Sequence, residues 1–390
     1  MRRVHALAAA VASLALSLAA PAPTTTTIGV FSDQLPDGMP PALVRFAATH
    51  YAGAQKLGRA TTLALKQQNP RFFAIQYRLA LGLGRTTQVR FGDAWKPEWP
   101  PRPQERWFFH WHGSRVLDKT NGWYLMNVDD GGWRSYYVAK LHQQVATTDA
   151  DGAFLDSASV PNYFGAVWTP QLPTVDATFE SAWSKRISRW LPTVQRSLGV
   201  PVIANAGSWV TTRDRTDYSG VAGVMIEGFA TGLAPSDWQL ELTRALSLVR
   251  KGKIVIAQSY PAAGDVQARM FDLASYLLIK GAHTYVNFPL GIEVDWLPEY
   301  GIDLGAAVDP PGLRQQNGAY VRRFAKGLVA VNPGDAPVTM QLDGAYERVA
   351  PEGGGRVPDS GVLPSSWTLT ETPDAGTLTL APREGAVLLH

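Results

Sequence analysis

The chain has 390 residues, 45% of them hydrophobic and 18% charged, enough apolar material for a large core and suggesting one big domain with a smaller companion. It contains no cysteine, which excludes disulfides, thiolate catalysis and cysteine metal sites. The formal net charge of +3 includes Arg2 and Arg3; without them it is about +1, and no basic run follows, so nothing argues for nucleic acid as a partner.

Residues 1–22 read as a secretory signal peptide. Arg2 and Arg3 precede the acid-free apolar run Ala6 to Ala20, and small residues and prolines follow. The run is too short for a transmembrane span, and no other is long and apolar enough to cross a bilayer. The expected product is a secreted protein with no membrane attachment once the leader is removed.

From residue 28 to about 312, short apolar runs alternate with segments of helical period. The runs are "IGVFSD" (28–33), "THYAGAQ" (49–55), "FFAIQYR" (72–78), "GAFLDS" (152–157), "VIANAG" (202–207), "GVMIEG" (223–228), "IVIAQSY" (254–260) and "TYVNFP" (284–289). Helical segments lie between them, for example at 176–198, 236–251 and 265–280. In the second of these, Trp238, Leu242, Ala245 and Val249 share one face, as packing on a sheet requires. Eight parallel strands, each followed by a helix, predict a (β/α)8 TIM barrel; a doubly wound open sheet is the alternative.

A barrel places its reacting groups at the carboxyl ends of its strands. Read in order, the strand-end polar residues are Asp33, His50, Gln76 with Arg78, Asp156, Asn205, Glu227, Gln258 and Asn287, with Tyr260 just beyond. Wet strand ends are polar in any case, which accounts for most of the amides. Asp156 and Glu227 differ, because each ends an apolar strand and is followed at once by small or flexible residues. The bland alternative for them is a buried ion pair with Arg78 or another base. The functional reading is that two carboxylates from the fourth and sixth strands converge on one pocket. Glycosidic cleavage needs such a pair, one ionised as nucleophile or base and one protonated as acid. Ile226 and Phe229 suggest desolvation of Glu227 and hence the acid role for it. Asp156 is then expected to stay ionised, helped by Arg78 or Asn205.

The connection at 79–130 carries Trp95, Trp99, Trp107, Trp111 and Trp123, and its "WFFHWHGSRVL" (107–117) reads as a hairpin turning at Gly113. Trp107, Trp111 and, after the fifth strand, Trp209 are candidate platforms for a pyranose ring; packing into a small core of their own is the alternative. His110 and His112 have a spacing that can reach a metal, but a metal site there requires them to face the barrel mouth. Neither a metal nor a cofactor is expected. Beyond residue 316 alternation replaces helical period, with turns at Lys326-Gly327 and Pro333-Gly334. Residues 316–390 therefore predict a small antiparallel β-sandwich.

"DGAFLDS", "PVIANAG", "GVMIEGFA" and "YVRRFAKGLVAVNP" resemble the secreted bacterial barrels grouped as hypothetical glycosyl hydrolase family fifteen. More distantly the chain is similar to endo-α-1,4-polygalactosaminidase barrels and to retaining α-glycosidases of the melibiase and dextranase kinds. The resemblance implies Asp156 as nucleophile and Glu227 as acid/base. The strand ends and the tryptophan placement give Asp33, Gln76, Arg78, Trp107, Trp111, Asn205, Trp209, Gln258, Tyr260 and Asn287 as candidates to touch a carbohydrate. A monomeric glycoside hydrolase is the expected function. A non-catalytic carbohydrate-binding barrel and a metal-dependent hydrolase using His110 and His112 remain as alternatives.

Overall fold

The computed structural model describes residues 28–288 and 291–390; the expected signal peptide lies outside them. Eight strands close into a barrel: β1 (Val30–Ser32), β2 (Tyr51–Gln55), β3 (Phe73–Leu79), β4 (Gly152–Asp156), β5 (Val202–Asn205), β6 (Gly223–Glu227), β7 (Ile254–Gln258) and β8 (Thr284–Asn287). Every neighbouring pair is parallel, and Val30 opposite Val286 closes the ring. Alternate residues fill the inside, among them Phe31, Phe73, Ile75, Phe154, Ile203, Met225, Ile256 and Tyr285. Those interior aromatics need room. At Gly53 a Cβ would meet the Phe73 carbonyl oxygen at 2.2 Å and the Phe31 ring at 2.7 Å, so glycine lets β2 approach β3 there.

Six helices pack outside: α1 (Pro41–His50), α2 (Arg59–Gln68), α3 (Gly131–Thr148), α4 (Ala177–Leu198), α5 (Pro235–Val249) and α6 (Val266–Ile279). Asp130, Asp176 and Asp265 cap the amino ends of α3, α4 and α6 by accepting from backbone N–H groups of their first turns. The expectation of one helix per strand is corrected at two places. Residues 206–222, between β5 and β6, form no helix, and among the described residues β8 is followed by a 3-10 turn, Pro298–Gly301, with no α-helix. The first segment lacks helical period, and Arg244 of α5 organises it by donating to the carbonyls of Trp209, Thr211 and Asp214. His50 is also corrected. It ends α1, stacked 3.8 Å from Phe46, and so lies at the amino end of β2, away from the mouth.

The insertion between β3 and α3 contributes three short strands to a four-stranded sheet, joined by Trp168–Thr169 from the β4–α4 connection. It also forms two small hairpins, one of them His110–Trp111 with Ser114–Arg115 around Gly113.

The C-terminal residues form one six-stranded antiparallel sheet from Arg314 to Leu389. One face, with Val329, Val331 and Val387, joins the main core. The long hairpin Val338–Glu352 with Thr368–Leu380 shifts register between Gln341 and Ala345, and its outer half packs with Val321, Leu328, Ala330 and Leu388 into a second core. The sheet thereby doubles over itself as a sandwich. It sits directly on α6. A Cβ at Gly385 would meet the Met270 carbonyl oxygen and the Ala274 Cβ, each at 2.7 Å. Arg322 donates to the carbonyls of Leu277 and Lys280 at the carboxyl end of the helix.

Candidate active site

The alternation that aims Phe154, Ile203 and Met225 into the barrel also aims Asp156, Asn205 and Glu227, each two residues further on, into its mouth. Asn205 stands between the two acids. Its Oδ1 accepts from the backbone N–H of Gly207 at 2.9 Å, which fixes the amide so that its nitrogen faces the carboxylates. That nitrogen donates to Asp156 Oδ1 at 2.8 Å and to Glu227 Oε2 at 2.5 Å. Those two oxygens are therefore no farther apart than the two bonds laid end to end, about 5.3 Å.

Each acid has further neutral donors. Asp156 accepts from Tyr77 Oη at 2.8 Å on Oδ2 and from the N–H of Ser157 at 2.8 Å on Oδ1; Glu227 accepts from Tyr260 Oη at 2.7 Å. Burial pushes the Asp156 carboxyl above its ordinary value. The Tyr77 hydrogen bond opposes this, the Glu227 charge adds to it, and Asn205 and Lys56 oppose it. The expected desolvation of Glu227 by Ile226 and Phe229 is corrected, because both side chains belong to the outer core beneath the helices.

Around the acids, Asp33 ends β1 and accepts from Gln55, and it pairs with Lys56 Nζ at 2.8 Å. Gln258 and Asn287 are buried and joined, Asn287 Nδ2 donating to Gln258 Oε1 at 2.8 Å. Four residues just after these strand ends adopt positive φ without being glycine: Lys56 (65°), Ser157 (56°), Trp209 (54°) and Ala230 (60°). Such backbone is costly for L residues and collects at functional sites.

Three expected contact residues are corrected. Gln76 and Arg78 have the wrong parity: Phe73, Ile75 and Tyr77 point inward, so these two point out. Gln76 donates to the Leu57 carbonyl at 2.6 Å. Arg78 is 1% exposed, 2.7 Å from Gln144 of α3 and 3.0 Å from Glu98. Trp107 is buried in the main core, against Trp133 and Tyr136 of α3 at ring distances of 6.0 and 5.2 Å. Trp111 is half-buried on Phe179 of α4, and Trp209 packs edge-on against Tyr218 under the Arg244 guanidinium. His110 spends both ring nitrogens within the insertion, on the Phe108 carbonyl and Glu105. Sequence reasoning missed Tyr77 and Lys56. The period of two through Phe73 and Ile75 was the signal that selects Tyr77 and rejects its neighbours.

Residues 66–328 match the model of hypothetical glycosyl hydrolase family 15. Among solved structures, the chain is similar to the noncanonic maltogenic alpha-amylase AmyB from Thermotoga neapolitana, with 10% identity over 94% of this chain and 99% of that one and a TM-score of 0.44. It is similar to the PgaB (BpsB) glycoside hydrolase domain from Bordetella bronchiseptica, with 12% identity over 67% and 93% and a TM-score of 0.42. It is also similar to an alpha-amylase from Malbranchea cinnamomea, with 9% identity over 94% and 97% and a TM-score of 0.44. No curated protein matches the sequence.

Proposed function

The chain belongs to hypothetical glycosyl hydrolase family 15 and is a glycoside hydrolase acting on carbohydrate, and from that premise we propose a two-carboxylate, retaining mechanism. Asp156 attacks the anomeric carbon, breaking the bond to the leaving oxygen while Glu227 gives that oxygen its proton. The glycosyl–Asp156 ester is then opened by a water whose proton returns to Glu227. The observation that carries this reading is the single Asn205 nitrogen bonded to both acids. A gap of at most about 5.3 Å between those oxygens supports the shorter separation of retaining enzymes, roughly 5–5.5 Å, over the about 6.5–9.5 Å of inverting ones.

Asp156 accepts from three donors and Glu227 from two, which supports Asp156 as the acid that reacts ionised. Asp33, Asn205, Gln258, Tyr260 and Asn287 line the mouth as groups to orient the sugar, and Trp111 and Trp209 remain candidates to stack on it. The charged and apolar start of the chain supports export, and we read the active form as a secreted monomer.

A panel of bacterial and fungal polysaccharides, with Asp156→Asn as control, identifies a competent substrate. Proton NMR of the first-formed product then reads its anomeric configuration. Retention, and capture of a 2-deoxy-2-fluoroglycosyl group on Asp156 seen by mass spectrometry, are the expected results. A first product of inverted configuration would sink the mechanism and make Asp156 the base.

A further inference from the structure

Lys56 is a cation whose charge acts on Asp156. It follows β2 directly with φ at 65°, a conformation a long side chain adopts only where its surroundings demand it. The turn brings its ammonium back to the mouth, with the side chain 22% exposed. There it meets Asp33 Oδ2 at 2.8 Å and stands 5.1 Å from the centre of the Tyr77 ring. The Tyr77 hydroxyl in turn donates to Asp156 Oδ2 at 2.8 Å. A cation at a phenol's ring face withdraws electron density and strengthens the O–H as a donor.

From this geometry we propose that Lys56 is a positioning residue that sets the pH at which Asp156 ionises, acting through Tyr77 and through its field, with Asp33 as a counter-charge that holds and partly cancels it. The titratable groups gathered here are Asp33 after β1, Lys56 after β2, Tyr77 from β3, Glu98 from the insertion, Asp156 from β4, Glu227 from β6 and Tyr260 after β7. The Glu227 charge opposes ionisation of Asp156, whereas Lys56 favours it. Asp33 also keeps the Lys56 ammonium from pairing directly with Asp156, which leaves both oxygens of the nucleophile on neutral donors. The proposal rests on the reading of Asp156 as the acid that works ionised.

The test is titration of the full chain labelled with 13C at aspartate carboxyls, the Asp156 signal being identified by its loss in Asp156→Asn. Lys56→Met, which keeps the length and removes the charge, should raise the Asp156 midpoint by about one pH unit, a tenfold change in its protonation constant. Lys56→Arg should return it to within a few tenths of wild type, and Asp33→Asn should lower it. On a competent substrate, the acid limb of kcat/KM should move with these midpoints. Lys56→Gln serves in place of Lys56→Met if the latter does not fold. An unchanged midpoint in the neutral variant, an equal shift in Lys56→Arg, or an upward shift in Asp33→Asn overturns the proposal. Full turnover by Asp156→Asn, with the midpoints moving as stated, would instead overturn the functional reading and leave the electrostatic one standing.

Discussion

The acids at the barrel mouth and those in the surrounding helical layer are held differently. Glu299 takes two hydrogen bonds from Arg269 of α6, at 2.7 and 2.5 Å, and Glu98 lies 3.0 Å from Arg78. Asp156 and Glu227 instead rest on tyrosines, an asparagine amide and a backbone N–H. An acid locked to a guanidinium is fixed as a charge and pins elements together. Arg269 also donates to the Gly353 carbonyl and so ties α6 to the C-terminal hairpin. An acid held by neutral donors keeps its position in either protonation state, as a group that gives and takes a proton must. A third pair, Glu241 and Asp272, forms no ion pair among the described residues. These acids hold the loop after β6 through the Ala230 N–H and the Thr231 hydroxyl, and burial pushes both upward, Asp272 to about 8.

The contrast breaks most visibly at Asp156. Asp156→Asn should cut turnover by roughly 10⁴-fold while the melting temperature stays within a few degrees of wild type, because amide and carboxylate fit the same donors. The helical layer should respond the other way round. Glu299→Gln leaves Arg269 buried without its counter-charge and should cost about 3–5 kcal/mol in denaturant unfolding, with turnover per folded molecule unchanged. If this variant lost activity without losing stability, the division of labour would be wrong.

Asp272 sharpens the comparison through pH. Its folded-state value lies above that of an unfolded aspartate, so the native chain holds a proton that the unfolded chain releases. Its contribution is complete below the ordinary carboxylate range and is lost as pH rises toward about 8. Melting temperature should therefore fall by a few degrees across that interval, and Asp272→Asn should flatten the decline. The smallest effect is expected at Tyr260. Tyr260→Phe removes one donor to Glu227 and should lower kcat/KM about tenfold, in line with the loss of one hydrogen bond. A loss as large as that of Asp156→Asn would mean the hydroxyl itself takes part in the chemistry.

The sequence alone determined much of this molecule. Alternating apolar runs and helical segments specify a parallel barrel, because strands buried on both faces must be apolar throughout and each needs a return path. Asp156 and Glu227 were legible because an acid at the end of such a strand has no packing reason to be there. Alternation and turn residues made the C-terminal antiparallel strands legible. What the sequence left undecided was direction. Gln76, Tyr77 and Arg78 are adjacent and all polar at one end, and only the closed barrel decides that Tyr77 enters the mouth while its neighbours face the helices. Whether a tryptophan meets solvent or a core depends on what folds over it, and α3 covers Trp107. Lys56 was invisible for the same reason. Its meaning comes from Asp33, 23 residues away, and from Tyr77, 21 away, which only the pairing of β2 with β1 and β3 brings to its ammonium.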